Sequence, residues 1–201
     1  MLPRLYAIVD PSFFPDTPAL LAFAGELRAA GVTLFQYRNK RDSARQMLSQ
    51  ARELRRRLEG VRLIMNDRAD LSLAAAFDGV HVGQEDISVE GARRVLGDRL
   101  WVGVSTHIPE QVEAAAATSA DYVAVGPVFP TSTKANPDPV IGLEGVRVAR
   151  SLTRKPLAAI GGITRHNCNS VLEAGADAVA VISDLLDNPR KSAEEFLRRL
   201  G

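Results

Sequence analysis

Only one cysteine, Cys168, occurs in the 201 residues. That excludes an internal disulfide framework and a multi-cysteine zinc site, and it fits a reducing cytoplasm. A dominant sign of charge is also missing. Lys and Arg number 25 against 24 Asp and Glu, for a net charge of +1, so no global field draws nucleic acid or an anionic membrane. No segment reaches the ~20 apolar residues needed to cross a bilayer. The opening residues, MLPRLYAIVDPSFFPD, have no basic region followed by a long apolar core, so no signal peptide is expected. Low-complexity segments and linkers are absent too. The expectation is one domain, residues 1–201, cytoplasmic and long enough to bury a sizeable core.

What is present is a series of short apolar runs: LYAIVD (5–10), TLFQYR (33–38), RLIMND (62–67), GVHVG (79–83), WVGVS (101–105), YVAVGP (122–127), LAAIGG (157–162) and AVAVIS (178–183). Between them lie segments with helical apolar spacing. Leu20, Leu21, Ala24 and Leu27 form one such face; Val112, Ala115 and Ala116 form another; Leu48, Ala51, Leu54 and Leu58 mark a long basic helix. The strands are nearly all apolar, as in a parallel sheet buried on both faces. A phrase recurs as AFDGVHVG, SADYVAVG and GADAVAVIS, each passing through an Asp into a strand. Eight strands with intervening helices predict an α/β fold, a (β/α)8 TIM barrel with short helices and loops. The competing architecture is an open doubly wound sheet. The longest irregular stretch, PVFPTSTKANPDPVIG (127–142), has the length and composition of a lid.

A barrel works at the C-terminal ends of its strands, and that is where the polar residues fall. Gln36, Arg38 and Lys40 alternate, so an extended strand puts them on one face. Arg and Lys there, with Lys134 from the long loop, form a cationic set suited to a diphosphate. Asp67 and Asp86 follow adjacent strands, ~4.8 Å apart in a sheet. Two carboxylates that close need a proton or a cation between them, and one or two carboxylates plus phosphate oxygens suit Mg²⁺. Asp67 with Asp70 also reads as a capping box, and Asp86 as a loop acid or helix cap. Gly161-Gly162 and Ile182-Ser183 end the seventh and eighth strands, where barrels often hold phosphate. Among the histidines, His81 reads as packed within a strand and His166 as solvated. His107, near Ser105 at a strand end, is the better acid–base candidate. Cys168 reads as a small buried apolar residue.

In this order, QYRNK, MND, GVHVGQED, GVSTH, GPVFPTSTK, AIGGI and VIS make the chain resemble the thiamine-phosphate synthase family over nearly its full length. The resemblance implies a (β/α)8 fold and a transferase that joins 4-amino-2-methyl-5-pyrimidinylmethyl diphosphate to hydroxyethylthiazole phosphate. Thiamine phosphate and pyrophosphate would be the products, formed by an Mg²⁺-assisted dissociative substitution. By matching motifs, Gln36, Tyr37, Arg38, Asn39, Lys40, Asn66, Ser105 and Lys134 would meet the pyrimidine diphosphate, with Arg38, Lys40, Ser105 and Lys134 carrying catalysis. Asp67 and Asp86 would hold Mg²⁺. Thr131, Ser132, Thr133, Gly162, Ile182 and Ser183 would contact the thiazole phosphate. Asn39 stands where the family often has an acid. The partners implied are these two small molecules, with no nucleic acid and no membrane; self-association into a homo-oligomer is left open. Two alternatives are carried: a thiazole tautomerase-like isomerase, for which His107 would be reassigned, and a non-catalytic sensor of thiazole phosphate or thiamine phosphate.

Overall fold

Strands that are apolar on both sides persist only if both faces are covered. The computed structural model, which describes residues 2–131 and 138–201, provides that cover. Strands β1 (Leu5–Val9), β2 (Leu34–Tyr37), β3 (Arg62–Asn66), β4 (Gly79–Val82), β5 (Trp101–Thr106), β6 (Tyr122–Val125), β7 (Leu157–Ile160) and β8 (Ala178–Val181) run parallel in sequence order. Pairing of β1 with β8 closes the barrel. The open-sheet alternative is thereby removed.

Helices α1 (Thr17–Ala29), α2 (Ala44–Arg57), α3 (Ala69–Ala74), α4 (Val89–Leu96), α5 (Pro109–Ala117), α6 (Gly142–Leu152), α7 (Cys168–Glu173) and α8 (Pro189–Leu200) surround the strands. Helices α3 and α7 have only six residues each, which is how 201 residues complete eight βα units. Start signals are local. Asp16 accepts from Ala19 N ahead of α1, Ser43 and Gln46 form a capping box on α2, and Ser88 accepts from Gly91 N ahead of α4.

The two-residue alternation of each strand divides the apolar residues into two cores. Tyr6, Ile8, Leu34, Ile64, Tyr122, Ala124, Ala158, Ala178 and Ala180 fill the barrel. Their neighbours, including Ala7, Val9, Phe35, Leu63, Met65, Val102, Val123 and Val179, pack outward with Leu20, Leu27, Leu54 and Phe196 of the helices. Gly103 makes the inner core possible: a Cβ there would lie 2.1 Å from the Tyr122 ring.

The recurring Asp phrase has a structural meaning. Asp78, Asp121 and Asp177 precede β4, β6 and β8 at the N-terminal rim. Each uses Oδ2 to accept the N–H of a residue on the preceding strand: Leu63, Val102 and Leu157 respectively. The same oxygens pair with Arg55, Arg93 and Arg150 at 2.8, 2.7 and 3.0 Å. Strand start and helix are thus tied by one carboxylate, three times around the rim.

Candidate active site

At the opposite rim the strand ends surround a cavity of about 570 Å³. Gln36, Arg38 and Lys40 line it, as their alternation predicts, together with Asn66, Asp67, Asp86, Ser105, Thr131, Gly162, Ile182 and Ser183. Tyr37 and Asn39 do not. They occupy the outward positions of the same segment. The Tyr37 hydroxyl donates to Gln50 Oε1 at 2.5 Å, and Asn39 Nδ2 donates to Tyr37 at 2.9 Å and Asp42 at 2.8 Å. Asn39 Oδ1 also accepts from the N–H groups of Arg41 and Asp42. These two side chains therefore build the turn into α2 and lie outside the cavity lining, unlike the other described residues expected at the pyrimidine diphosphate. Burial pushes the Tyr37 phenol up, which suits a structural hydroxyl. Ser132, Thr133 and Lys134, and with them the centre of the expected lid, lie outside the described residues.

Asp67 does not cap α3. That helix follows Arg68 without a side-chain cap, and Asp70 pairs with Arg68 at 2.6 Å. Asp67 instead takes φ +61°, a left-handed conformation rare for a non-glycine residue. Its carboxylate lines the mouth of the cavity and contacts the Lys40 ammonium. Burial raises the Asp67 pKa, Lys40 opposes that rise, and the neighbouring Asp86 carboxylate adds to it. Asp86 is a loop acid, accepting from Gly83 N at 2.7 Å, while Ser88 caps α4. Among the described residues no group of three or more His, Cys, Asp or Glu forms a metal cage. Two converging hard carboxylates fit Mg²⁺, which keeps open positions for water and phosphate oxygens, and fit zinc poorly.

Other polar groups are held firmly. Arg38 Nη1 pairs at 2.5 Å with Asp10, which is buried at the end of β1. Gln84 Nε2 donates to the Ser105 carbonyl at 2.6 Å. His107 donates from Nδ1 to the Gly126 carbonyl at 2.7 Å and lies 3.6 Å from Asp138 Oδ2. One buried group is not satisfied: Asn66 Nδ2 has no partner among the described residues, although Asn66 is only 8% exposed. A buried donor left unmade costs about 1–3 kcal/mol, and such a group beside a cavity is suited to a ligand acceptor. Gly162, at φ +62°, lets the backbone pass close under Pro130, whose carbonyl would be 2.5 Å from a Cβ. Cys168 is fully buried on α7, and His166 is exposed, as expected.

Several contributors were not singled out from the sequence: Asp10, Tyr6, Tyr122 and Gln84. The tyrosines had a visible signal, being polar-tipped rings at inward positions of otherwise apolar strands. His81 is buried and bonded through both ring nitrogens, as anticipated, yet it also lines the cavity.

Residues 5–185 match the family model described as thiamine monophosphate synthase. The thiamine-phosphate synthase of Koribacter versatilis is 60% identical over 203 residues, covering 99% of this chain and 96% of that protein. That of Gloeobacter violaceus is 42% identical, covering 98% of this chain and 58% of its own greater length. Among solved structures, thiamine phosphate pyrophosphorylase from Pyrococcus furiosus superposes with a TM-score of 0.85 at 34% identity, covering 98% of this chain and 95% of the other.

Proposed function

This chain belongs to the thiamine monophosphate synthase family, and from that premise we propose that it is a transferase joining 4-amino-2-methyl-5-pyrimidinylmethyl diphosphate to hydroxyethylthiazole phosphate. The C–O bond to diphosphate breaks with its electron pair staying on the leaving oxygen. The thiazole nitrogen lone pair forms the new C–N bond, giving thiamine phosphate and pyrophosphate.

The observation that carries this reading is the convergence, at one cavity mouth, of Asp67 and Asp86 with Arg38, Lys40 and the unpartnered Asn66 amide. Arg38, braced by Asp10, and Lys40 face the charge that grows on the diphosphate as it departs. Fixed cations stabilise that charge more in the transition state than in the ground state, which lowers the barrier. Asn66 donates to a diphosphate oxygen. Gln36 and Ser105 orient the aminopyrimidine by hydrogen bonds. Lys134 is assigned to the pyrophosphate. Thr131, Ser132, Thr133, Gly162, Ile182 and Ser183 are assigned to the thiazole phosphate. Mg²⁺, held by Asp67 and Asp86, would neutralise diphosphate charge. A dissociative route needs no protein nucleophile, consistent with the burial of Cys168 away from the mouth. No helix among the described residues is long and apolar enough to cross a membrane; the cytoplasm is proposed from cysteine usage and substrate chemistry.

The test is pyrophosphate release with both substrates and Mg²⁺. Turnover that stops on chelation and returns with Mg²⁺ is the expected result. No release at saturating substrate would overturn the reading and leave the isomerase or sensor, neither of which needs both acids.

A further inference from the structure

A hydrogen-bond chain crosses the barrel beneath the cavity. Gln36 Nε2 donates to the Tyr6 hydroxyl at 2.9 Å. The Tyr6 and Tyr122 hydroxyls are 2.9 Å apart. Tyr122 lies 2.9 Å from His81 Nδ1, and His81 Nε2 lies 2.8 Å from Ser105 Oγ. The Tyr122 ring stacks on His81 and meets Tyr6 edge-on, at centroid distances of 5.4 and 6.0 Å. Tyr6, Tyr122 and His81 are all buried, so packing holds the rings and the only freedom left is the direction of the protons.

That direction follows from counting protons. Each hydroxyl and a neutral imidazole carry one. Four contacts need four protons, and the five groups can fill them in four ways; two of these strand a buried Tyr6 or Tyr122 O–H without an acceptor, which is costly, and two use every buried proton. In one, Gln36 donates to Tyr6, Tyr6 to Tyr122, Tyr122 to His81 Nδ1, and His81 Nε2–H to Ser105; the Ser105 proton is left over. In the other every bond is reversed, the Gln36 carbonyl receives, and Ser105 keeps no proton for the cavity. The Gln36 amide presents Nε2 to Tyr6, which selects the first direction. His81 is buried, and both ring nitrogens meet hydroxyl groups and no carboxylate among the described residues, so the ring is neutral and holds a single proton.

We infer that Tyr6, Tyr122 and His81 are positioning residues that fix the Nε2–H tautomer of His81 and aim the Ser105 hydroxyl proton into the cavity. The two ends then offer opposite characters: Ser105 a donor, and Gln36 Oε1 an acceptor with no partner among the described residues. An aminopyrimidine has the matching pair, an acceptor ring nitrogen and a donor amino group. Its oxo analogue inverts that pair, and accepting it requires reversing all five groups together. The choice of ligand rests on the proposed function; the proton order does not.

The test begins with the intact enzyme, free of substrate, at pH 7. With ¹⁵N-labelled histidine and only three histidines to assign, His81 is identified by the signals lost in His81→Gln. The expected spectrum has a pyrrole-like Nε2 and a pyridine-like Nδ1; the opposite tautomer or an imidazolium overturns the proposal. In Tyr122→Phe, the Nδ1–H tautomer should gain population, and KM for the pyrimidine diphosphate should rise roughly tenfold, the worth of one hydrogen bond. KM for the thiazole phosphate should stay within about twofold. An unchanged tautomer, or an equal rise in both constants, overturns it. The spectrum is readable even if Tyr122→Phe does not fold. Failure of the synthase reading would appear instead as an inactive wild-type enzyme whose histidine spectrum is as expected.

Discussion

The two rims of this barrel use the same residue type to opposite ends. At the N-terminal rim, Asp78, Asp121 and Asp177 each accept a strand N–H and an Arg, so their charge is matched by two partners. At the C-terminal rim, Asp67 sits in a left-handed conformation, paired with Lys40 but half-buried beside Asp86; burial raises its pKa, and the like-charged neighbour adds to the rise. Matched carboxylates hold structure. The crowded pair, beside Lys40, lines the cavity, where strained and perturbed groups concentrate.

The largest expected break in this comparison is at the upper rim. Asp86→Asn should lower kcat/KM at least ~100-fold, the scale of losing a group that stabilises developing charge. Its melting temperature should be preserved, as measured by thermal denaturation alongside steady-state kinetics.

Next in size is the pH response of His81. The unfolded imidazole takes up its proton near pH 6.5, whereas the folded one does so near 4. Between those values the unfolded chain holds the extra proton. Stability is therefore full above pH 6.5 and falls as the pH drops toward 4, by about 3 kcal/mol in total. Denaturant titrations from pH 7 to 4 should show this slope in the wild type and a shallower one in His81→Gln.

Asn66→Ala sharpens the contrast further. Binding of the pyrimidine diphosphate, followed by calorimetry, should weaken ~10-fold. Folding stability should change by less than ~1 kcal/mol, because removing an unsatisfied amide relieves its desolvation cost. An effect of similar size belongs to the lower rim, and it falls on folding instead of turnover. Asp121→Asn should cost about 1–2 kcal/mol in denaturant unfolding, with kinetic constants near wild type.

Much of the barrel was legible because parallel strands covered on both sides leave unbroken apolar runs; seven of the eight observed strands fall within the expected runs, and β5 continues one residue past its run, to Thr106. The strand-end position of Arg38, Asp67 and Ser105 was legible for the same reason. The repeated Asp phrase was visible too, but not its partners: Arg55, Arg93 and Arg150 lie on helices and reach the rim only after each helix has packed. The contiguous QYRNK motif concealed that Tyr37 and Asn39 face outward, since membership of a motif ignores strand alternation. Asp67 looked like a cap because local spacing says nothing about a left-handed φ. The proton chain was beyond reach, since Tyr6 and Tyr122 meet across 116 residues only when the barrel closes.

The most direct measurement sets Asp86→Asn beside Asp121→Asn and records Mg²⁺-dependent pyrophosphate release and thermal unfolding on both. The division between rims predicts a crossed result: Asp86→Asn loses turnover and keeps its melting temperature, while Asp121→Asn keeps turnover and melts earlier. Loss of both properties in step in either variant would contradict it.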